Sequence, residues 1–249
     1  MIFLSDKSFP VAAPSAASCQ AETERIVEAY ARRAKSLPPG RYSAIELSNL
    51  LRIQELEREI IKLLTWSQHT QLDHEKVLDV GCGSGFWLRQ LVQWGATPEN
   101  LFGIDLLQER IKKGNELCPK GITLQWGDAS KLKFGDGTFS LILQFTAFTS
   151  ILDPTMKMEV ASEMSRVLKP GGAILWYDYF VSNPCNPDVR GVKRKEILQL
   201  FPEFSIFLKR ITLAPPLGRV VGPFSPALYR TISIFKALCT HYLGFFEKP

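Results

Sequence analysis

The residues whose spacing carries the most chemistry lie in Val77-Leu78-Asp79-Val80-Gly81-Cys82-Gly83-Ser84-Gly85, an apolar run entering a turn of three glycines. Glycines at such a turn allow a sharp reversal and let a ligand approach the main chain with no Cβ in the way. A dinucleotide fingerprint demands Gly or Ala at position 86, which is Phe86, and no Gly-Lys-Ser/Thr ending follows. NAD, FAD and P-loop nucleotides are therefore disfavoured. Asp105 lies 20 residues past Gly85, at the end of Phe102-Gly103-Ile104-Asp105-Leu106. A carboxylate there can accept hydrogen bonds from both hydroxyls of a ribose. A further acid, Asp128, stands in Trp126-Gly127-Asp128-Ala129, where it could accept from an adenine amino group while the Ala129 N–H faces a ring nitrogen. Any one of these acids alone reads as a turn or strand-end residue. Together, at successive strand ends, they point to a nucleoside ligand held by Asp79, Gly81, Gly83, Gly85, Asp105, Leu106, Asp128 and Ala129.

Two later stretches extend the pattern: Phe134-Gly135-Asp136-Gly137-Thr138-Phe139-Ser140-Leu141-Ile142 and Met164-Ser165-Arg166-Val167-Leu168-Lys169-Pro170-Gly171-Gly172. With the glycine turn and the two acids they closely resemble the class I S-adenosylmethionine-dependent methyltransferases, densely from Val77 to about Tyr179. The resemblance implies an α/β Rossmann-like fold: a seven-stranded, mostly parallel sheet ordered 3-2-1-4-5-7-6, its seventh strand antiparallel, helices on both faces and an N-terminal helical cap. It implies S-adenosyl-L-methionine as cofactor and S-adenosyl-L-homocysteine as product. The glycine turn would cradle the methionine moiety, Asp105 the ribose, Asp128 and Ala129 the adenine, and Gln144 or Phe145 would pass beneath the sulfonium. Helices ahead of the first strand often cap the site in small-molecule members of the family, which makes Tyr30 and the Arg41-Tyr42 pair candidates to close over the cofactor. Tyr42 is counted with the cofactor residues, whereas the spacing of Tyr30 favours packing on an apolar helix face.

A sulfonium is already a good methyl donor, so the enzyme's task is to hold a nucleophile in line and keep water out. Hydroxyl and amine acceptors also lose a proton. Asp178 is the first choice of base or substrate anchor, with Tyr177 beside it and His241 if the last strand points it inward. Phe148, Tyr179 and the polar loop residues Asn183, Asn186 and Arg190 are expected to contact the acceptor, since a long loop after a strand's carboxyl end is where binding groups gather. Phe145, Phe148, Trp176, Tyr177, Phe180 and Phe224 could line an aromatic pocket, half of them being core. The histidines, His69, His74 and His241, combine with no acids in a metal-ligand pattern, so no metal is expected.

These residues need a scaffold. The chain has 249 residues, 45% of them hydrophobic and 22% charged, enough for one globular domain with a large core and incompatible with disorder or a fibrous architecture. Residues 1–20 read as a flexible tail and 21–249 as one domain: a helical cap (21–70), a cofactor-binding core (76–180), and substrate loops with two last strands (181–249). Helices are predicted over 22–35 and, behind a Ser43/Glu46 capping box, to about residue 66. Strands are predicted at 76–80, 101–105, 122–125, 139–145, 173–180, 205–213 and 240–247, and helices at 85–94, 107–116, 154–167, 193–201 and 227–238. Residues 182–192 and 214–226, rich in Pro and Gly, read as long loops.

A net charge of +5 is too small to mark a nucleic-acid surface. The longest nearly uncharged stretch, residues 141–152, is too short to cross a bilayer. Five widely spaced cysteines suggest neither a disulfide framework nor a zinc knuckle, and the cytoplasm is the expected location. The Asn/Asp-Pro-Pro-aromatic signature of base methylation is missing after the fourth strand, as is the first acidic ligand of metal-dependent catechol enzymes. The expected partner is a small molecule, with no nucleic acid and no membrane, and no oligomeric state is assigned. The first reading is methylation of oxygen or nitrogen on an aromatic or other secondary metabolite. Its rivals are a sugar hydroxyl in a glycan pathway and a silent S-adenosylmethionine-binding scaffold.

Overall fold

A computed structural model describes residues 16–38, 40–41, 43 and 45–249. Two helices, α1 (Ala16–Ser36) and α2 (Leu47–Trp66), precede β1 (Val77–Val80), α3 (Phe86–Gln93), β2 (Leu101–Asp105), α4 (Gln108–Leu117), β3 (Thr123–Trp126) and β4 (Phe139–Phe145). The chain continues through α5 (Pro154–Val167), β5 (Leu168–Tyr179), α6 (Arg194–Leu200), β6 (Ser205–Leu213), α7 (Pro215–Phe224), α8 (Pro226–Ser233) and β7 (Cys239–Glu247). Every residue of β1 and β4 is buried, as expected for central strands covered on both faces. The sheet order is β3-β2-β1-β4-β5-β7-β6, with β7 antiparallel to both β5 and β6, in agreement with the expected architecture.

Strand alternation divides the core into two layers. Leu78, Val80, Ile142, Ile174 and Trp176 pack with Ile26 of α1 and Met156, Val160 and Met164 of α5. Val77, Leu141, Leu143, Leu175 and Tyr177 pack with Leu56, Ile60 and Leu63 of α2 and Leu88 and Leu91 of α3. Both layers hold the carboxyl ends of β1, β2 and β4 in one row, where Gly81, Asp105 and Phe145 line one cavity.

Four expectations differ from the structure. The predicted tail overlaps α1, which is already helical at Ala16 and buries Cys19 against Glu159. The capping box does not form: Ser43 Oγ accepts from Ile45 N, and α2 begins at Leu47 with no side-chain cap. β5 starts at Leu168 instead of residue 173, extended by pairing of Leu168 with Phe139. Residues 215–224, expected as loop, form α7. Pro215 and Pro216 occupy its first turn, where a missing N–H costs nothing. Gly218 and Gly222, one turn apart, are buried on one face; a Cβ on Gly222 would fall 3.1 Å from Ser48 Cα of α2. The glycines that read as loop formers thus permit close helix packing.

Candidate functional site

The glycine turn is held to the neighbouring strand end by main-chain bonds: Gly81 N and Cys82 N both donate to Ile104 O, at 2.8 and 3.0 Å. Gly81, Gly83 and Gly85 all have positive φ (77°, 56° and 73°), a region open to glycine without strain. Their roles divide. Gly81 lines a cavity at the sheet's carboxyl edge, and a Cβ there would come within 2.7 Å of Ala147 Cβ. Gly83 N donates to Asp105 Oδ2 at 2.8 Å. Gly85 caps α3, where a Cβ would meet Cys118 Sγ at 2.6 Å. Its absent side chain serves packing of α3 against the end of α4, and neither Gly83 nor Gly85 is among the cavity's lining residues.

Asp105, Leu106, Asp128, Ala129 and Phe145 line the same cavity. Asp105 is buried, and its Oδ1 accepts from Leu107 N at 2.8 Å, so one carboxylate braces both the glycine turn and the start of α4. Asp128 Oδ1 accepts from Ser130 N at 2.8 Å. Asp79, expected among the ligand residues, is not in the lining: it lies behind Val80 and Gly81, 1% exposed and with no partner for Oδ2. Burial, and then the charge of Asp105, push its carboxyl up to about 8.

Of the roof, the sequence pointed only to Tyr30, a candidate to close over the cofactor that its spacing assigned to packing. Ile26 and Tyr30 of α1 line the cavity with Arg110 of α4 and Ser150 and Met156 beyond β4. The Tyr30 and Ser150 hydroxyls are 2.9 Å apart, and the Arg110 guanidinium lies 4.5 Å from the Tyr30 ring centroid. Arg25 donates to Ser150 O at 2.6 Å and pairs with Glu22 at 2.8 Å, while Glu22 accepts from Leu152 N and Asp153 N. Burial pushes the Glu22 carboxyl up, but these hydrogen bonds outweigh it and hold the carboxyl below its usual range. Thr146, also in the lining, has φ of 63°, a strained conformation for a β-branched residue; its N–H donates to Tyr177 O at 2.7 Å.

Several expected site residues lie elsewhere. Asp178 is 1% exposed and is not among the lining residues. Its Oδ1 accepts from Thr149 Oγ1 and Tyr179 N, its Oδ2 from Gln144 Nε2 and Thr149 N. Burial raises its pKa even against these bonds. It braces the turn that carries Ser150 and is not placed to take a substrate proton. Gln144, expected beneath the cofactor, is fully buried and turned toward Asp178. Phe148 is core, its ring 4.9 Å from that of Trp176, while Phe224 is 83% exposed. Asn183 and Asn186 use their side-chain oxygens to accept from Cys185 N and Asp188 N, building the loop's own turns. Arg190 pairs with Glu196, and Asp188 ties the loop to Arg32 of α1 at 3.0 Å. Tyr42 lies outside the described residues.

Tyr177, Tyr179 and His241 do come together. His241 stacks 4.6 Å from Tyr177 and lies 3.7 Å from the Tyr179 ring. Tyr177 Oη is 3.0 Å from Thr212 Oγ1 and interacts with the half-buried Arg52 of α2, a residue no motif announced. Burial pushes the Tyr177 phenol up to about 12; burial and then the Arg52 charge hold His241 well below its usual value. This cluster adjoins the cavity through Phe145, whose ring centroid is 6.1 Å from that of Tyr177.

Residues 77–172 match the model of a methyltransferase domain family. Over 106 residues the chain is 36% identical to the 2-methyl-6-phytyl-1,4-hydroquinone methyltransferase of Synechocystis sp., covering 41% of this chain and 31% of that protein. Over 102 residues it is 31% identical to the demethylmenaquinone methyltransferase of Staphylococcus aureus, covering 40% and 41%. The chain thus spans less than half the length of these two curated relatives. The fold matches the PH0226 protein from Pyrococcus horikoshii with a TM-score of 0.62 at 18% identity, over 88% of this chain and 99% of that one.

Proposed function

We propose that the protein, whose residues 77–172 match a methyltransferase domain family, is a class I S-adenosylmethionine-dependent methyltransferase that binds S-adenosyl-L-methionine in the cavity beneath α1 and methylates a small aromatic acceptor. The observation that carries this reading is the row of Gly81, Asp105, Asp128 and Ala129 lining one cavity. The residues fit the group. Asp105 and Asp128 give the lining two carboxylates against the one guanidinium of Arg110, and the buried Asp79 next to Asp105 has an unpartnered oxygen, which suits a cofactor that carries both an ammonium and a sulfonium.

When bound, the cofactor supplies an activated methyl group. Asp105 would hold the ribose, Asp128 and Ala129 the adenine, and the Gly81 main chain the methionine portion. Tyr30, Ile26 and Arg110 exclude water from above, which preserves the in-line approach that methyl transfer requires. The acceptor would lie beside Phe145, the lining residue whose ring centroid is 6.1 Å from that of the buried Tyr177. Two relatives are named for methyl transfer to 2-methyl-6-phytyl-1,4-hydroquinone and to demethylmenaquinone, which supports a ring of that kind as the acceptor, methylated on carbon or oxygen. Mass spectrometry of a panel of hydroquinones, phenols and sugars, incubated with protein and cofactor, tests the reading. One added methyl on a ring compound is expected. Methylation of sugars alone would replace the acceptor class, and cofactor binding without turnover on any acceptor or cell extract would favour the silent scaffold.

A further inference from the structure

The helices α7 and α8 join the end of β6 to the start of β7. His241, near that start, pairs with Tyr179 at the end of β5, so both helices sit on the same carboxyl edge as the cavity. Their inner face is spoken for: Gly218, Gly222, Tyr229 and Ser233 are buried. The outer face is inverted relative to a helix that meets water. Leu217, Val220 and Phe224, at i, i+3 and i+7, are 41%, 75% and 83% exposed, and Leu228, Ile234 and Phe235 continue the patch at 41%, 69% and 62%. Residues 214–238 contain Arg219, Arg230 and Lys236 and no Asp or Glu; Arg230 and Lys236 are exposed.

We propose that this face docks on the surface of an anionic lipid bilayer. Contiguous apolar side chains flanked only by cations are the composition of an interfacial helix, which buries its apolar side at the headgroup boundary and is drawn there by negative lipid. The helices lie on the surface and do not span it: no described helix is long and apolar enough to cross a membrane. A second copy is a poor occupant, because pairing two such faces brings like charges together. Docking here would turn the sheet's carboxyl edge toward the lipid, in contrast to the expectation of no membrane partner. The association needs no methyl transfer, so it stands or falls apart from the proposed activity.

Cosedimentation with vesicles provides the test. The protein should pellet with phosphatidylglycerol/phosphatidylcholine vesicles, bind pure phosphatidylcholine about tenfold more weakly, and be released by added salt. The double variant Val220→Asp/Phe224→Asp should lose about tenfold or more of the binding, with S-adenosylhomocysteine affinity and thermal melting unchanged. If that variant misfolds, Arg230→Glu/Lys236→Glu should show the same loss. Failure of the wild-type protein to bind the mixed vesicles overturns the proposal. So does a lipid-free dimer that the Val220→Asp/Phe224→Asp variant dissolves, which would assign the face to a second copy.

Discussion

The Tyr30 hydroxyl lies 2.9 Å from the Ser150 hydroxyl, which fastens α1 over the cavity to the turn that follows β4. The ring beneath this bond carries the Arg110 guanidinium at 4.5 Å, so one tyrosine joins three elements. Tyr30→Phe keeps the ring and the cation contact and should weaken S-adenosylhomocysteine binding only about threefold. Tyr30→Ala opens the wall and should weaken it about tenfold or more. Calorimetric titration of both variants separates a closing role from plain packing, since packing alone would lower the melting temperature and leave the affinity of the folded protein unchanged.

Asp79 makes stability depend on pH. Its carboxyl is pushed up from 3.8 to about 8 in the folded protein, so between those values the folded form keeps a proton that the unfolded chain releases. Stability should therefore fall as pH rises through this window and level off above about 8. Asp79→Asn should flatten the slope and raise the melting temperature at pH 8 relative to wild type. A bound cation favours the carboxylate, so cofactor binding should release protons near neutrality and tighten toward pH 8. Titration in two buffers of different ionisation enthalpy measures that release directly.

Asp178 should behave as a brace. Asp178→Ala leaves Gln144 Nε2, Thr149 N, Thr149 Oγ1 and Tyr179 N without their acceptor, at about 1–3 kcal/mol for each donor stranded in the interior. A large fall in melting temperature is expected, accompanied by weaker cofactor binding as the Ser150 turn loosens. A general base would give the opposite pattern, with turnover abolished while melting and cofactor affinity stay at wild-type values.

The sheet was legible because its strands are apolar runs separated by helical periods, and because Gly81, Asp105 and Asp128 mark strand ends by residue type alone. The roof was not. Tyr30 sits on an apolar helix face, where periodicity cannot distinguish a residue facing a cavity from one facing the core. Arg52 and Arg110 look like any solvated helix cation until the fold sets Tyr177 or Tyr30 against them. The strand-end Asp178 and Gln144 were read as facing ligand. They face each other because strand alternation turns both side chains to the same layer. Prolines and glycines over 214–226 suggested a loop. Two prolines in a first helical turn and two glycines one turn apart are equally the signature of a helix packed closely on its neighbour.

The central claim is that the cavity between Gly81 and Asp128 is an S-adenosylmethionine site with Asp105 at its middle. Calorimetric titration of Asp105→Ala with S-adenosyl-L-homocysteine tests it most directly. The account predicts an affinity lower by about tenfold or more, from loss of a buried charged acceptor that also braces the glycine turn. An unchanged affinity in a folded variant would contradict it.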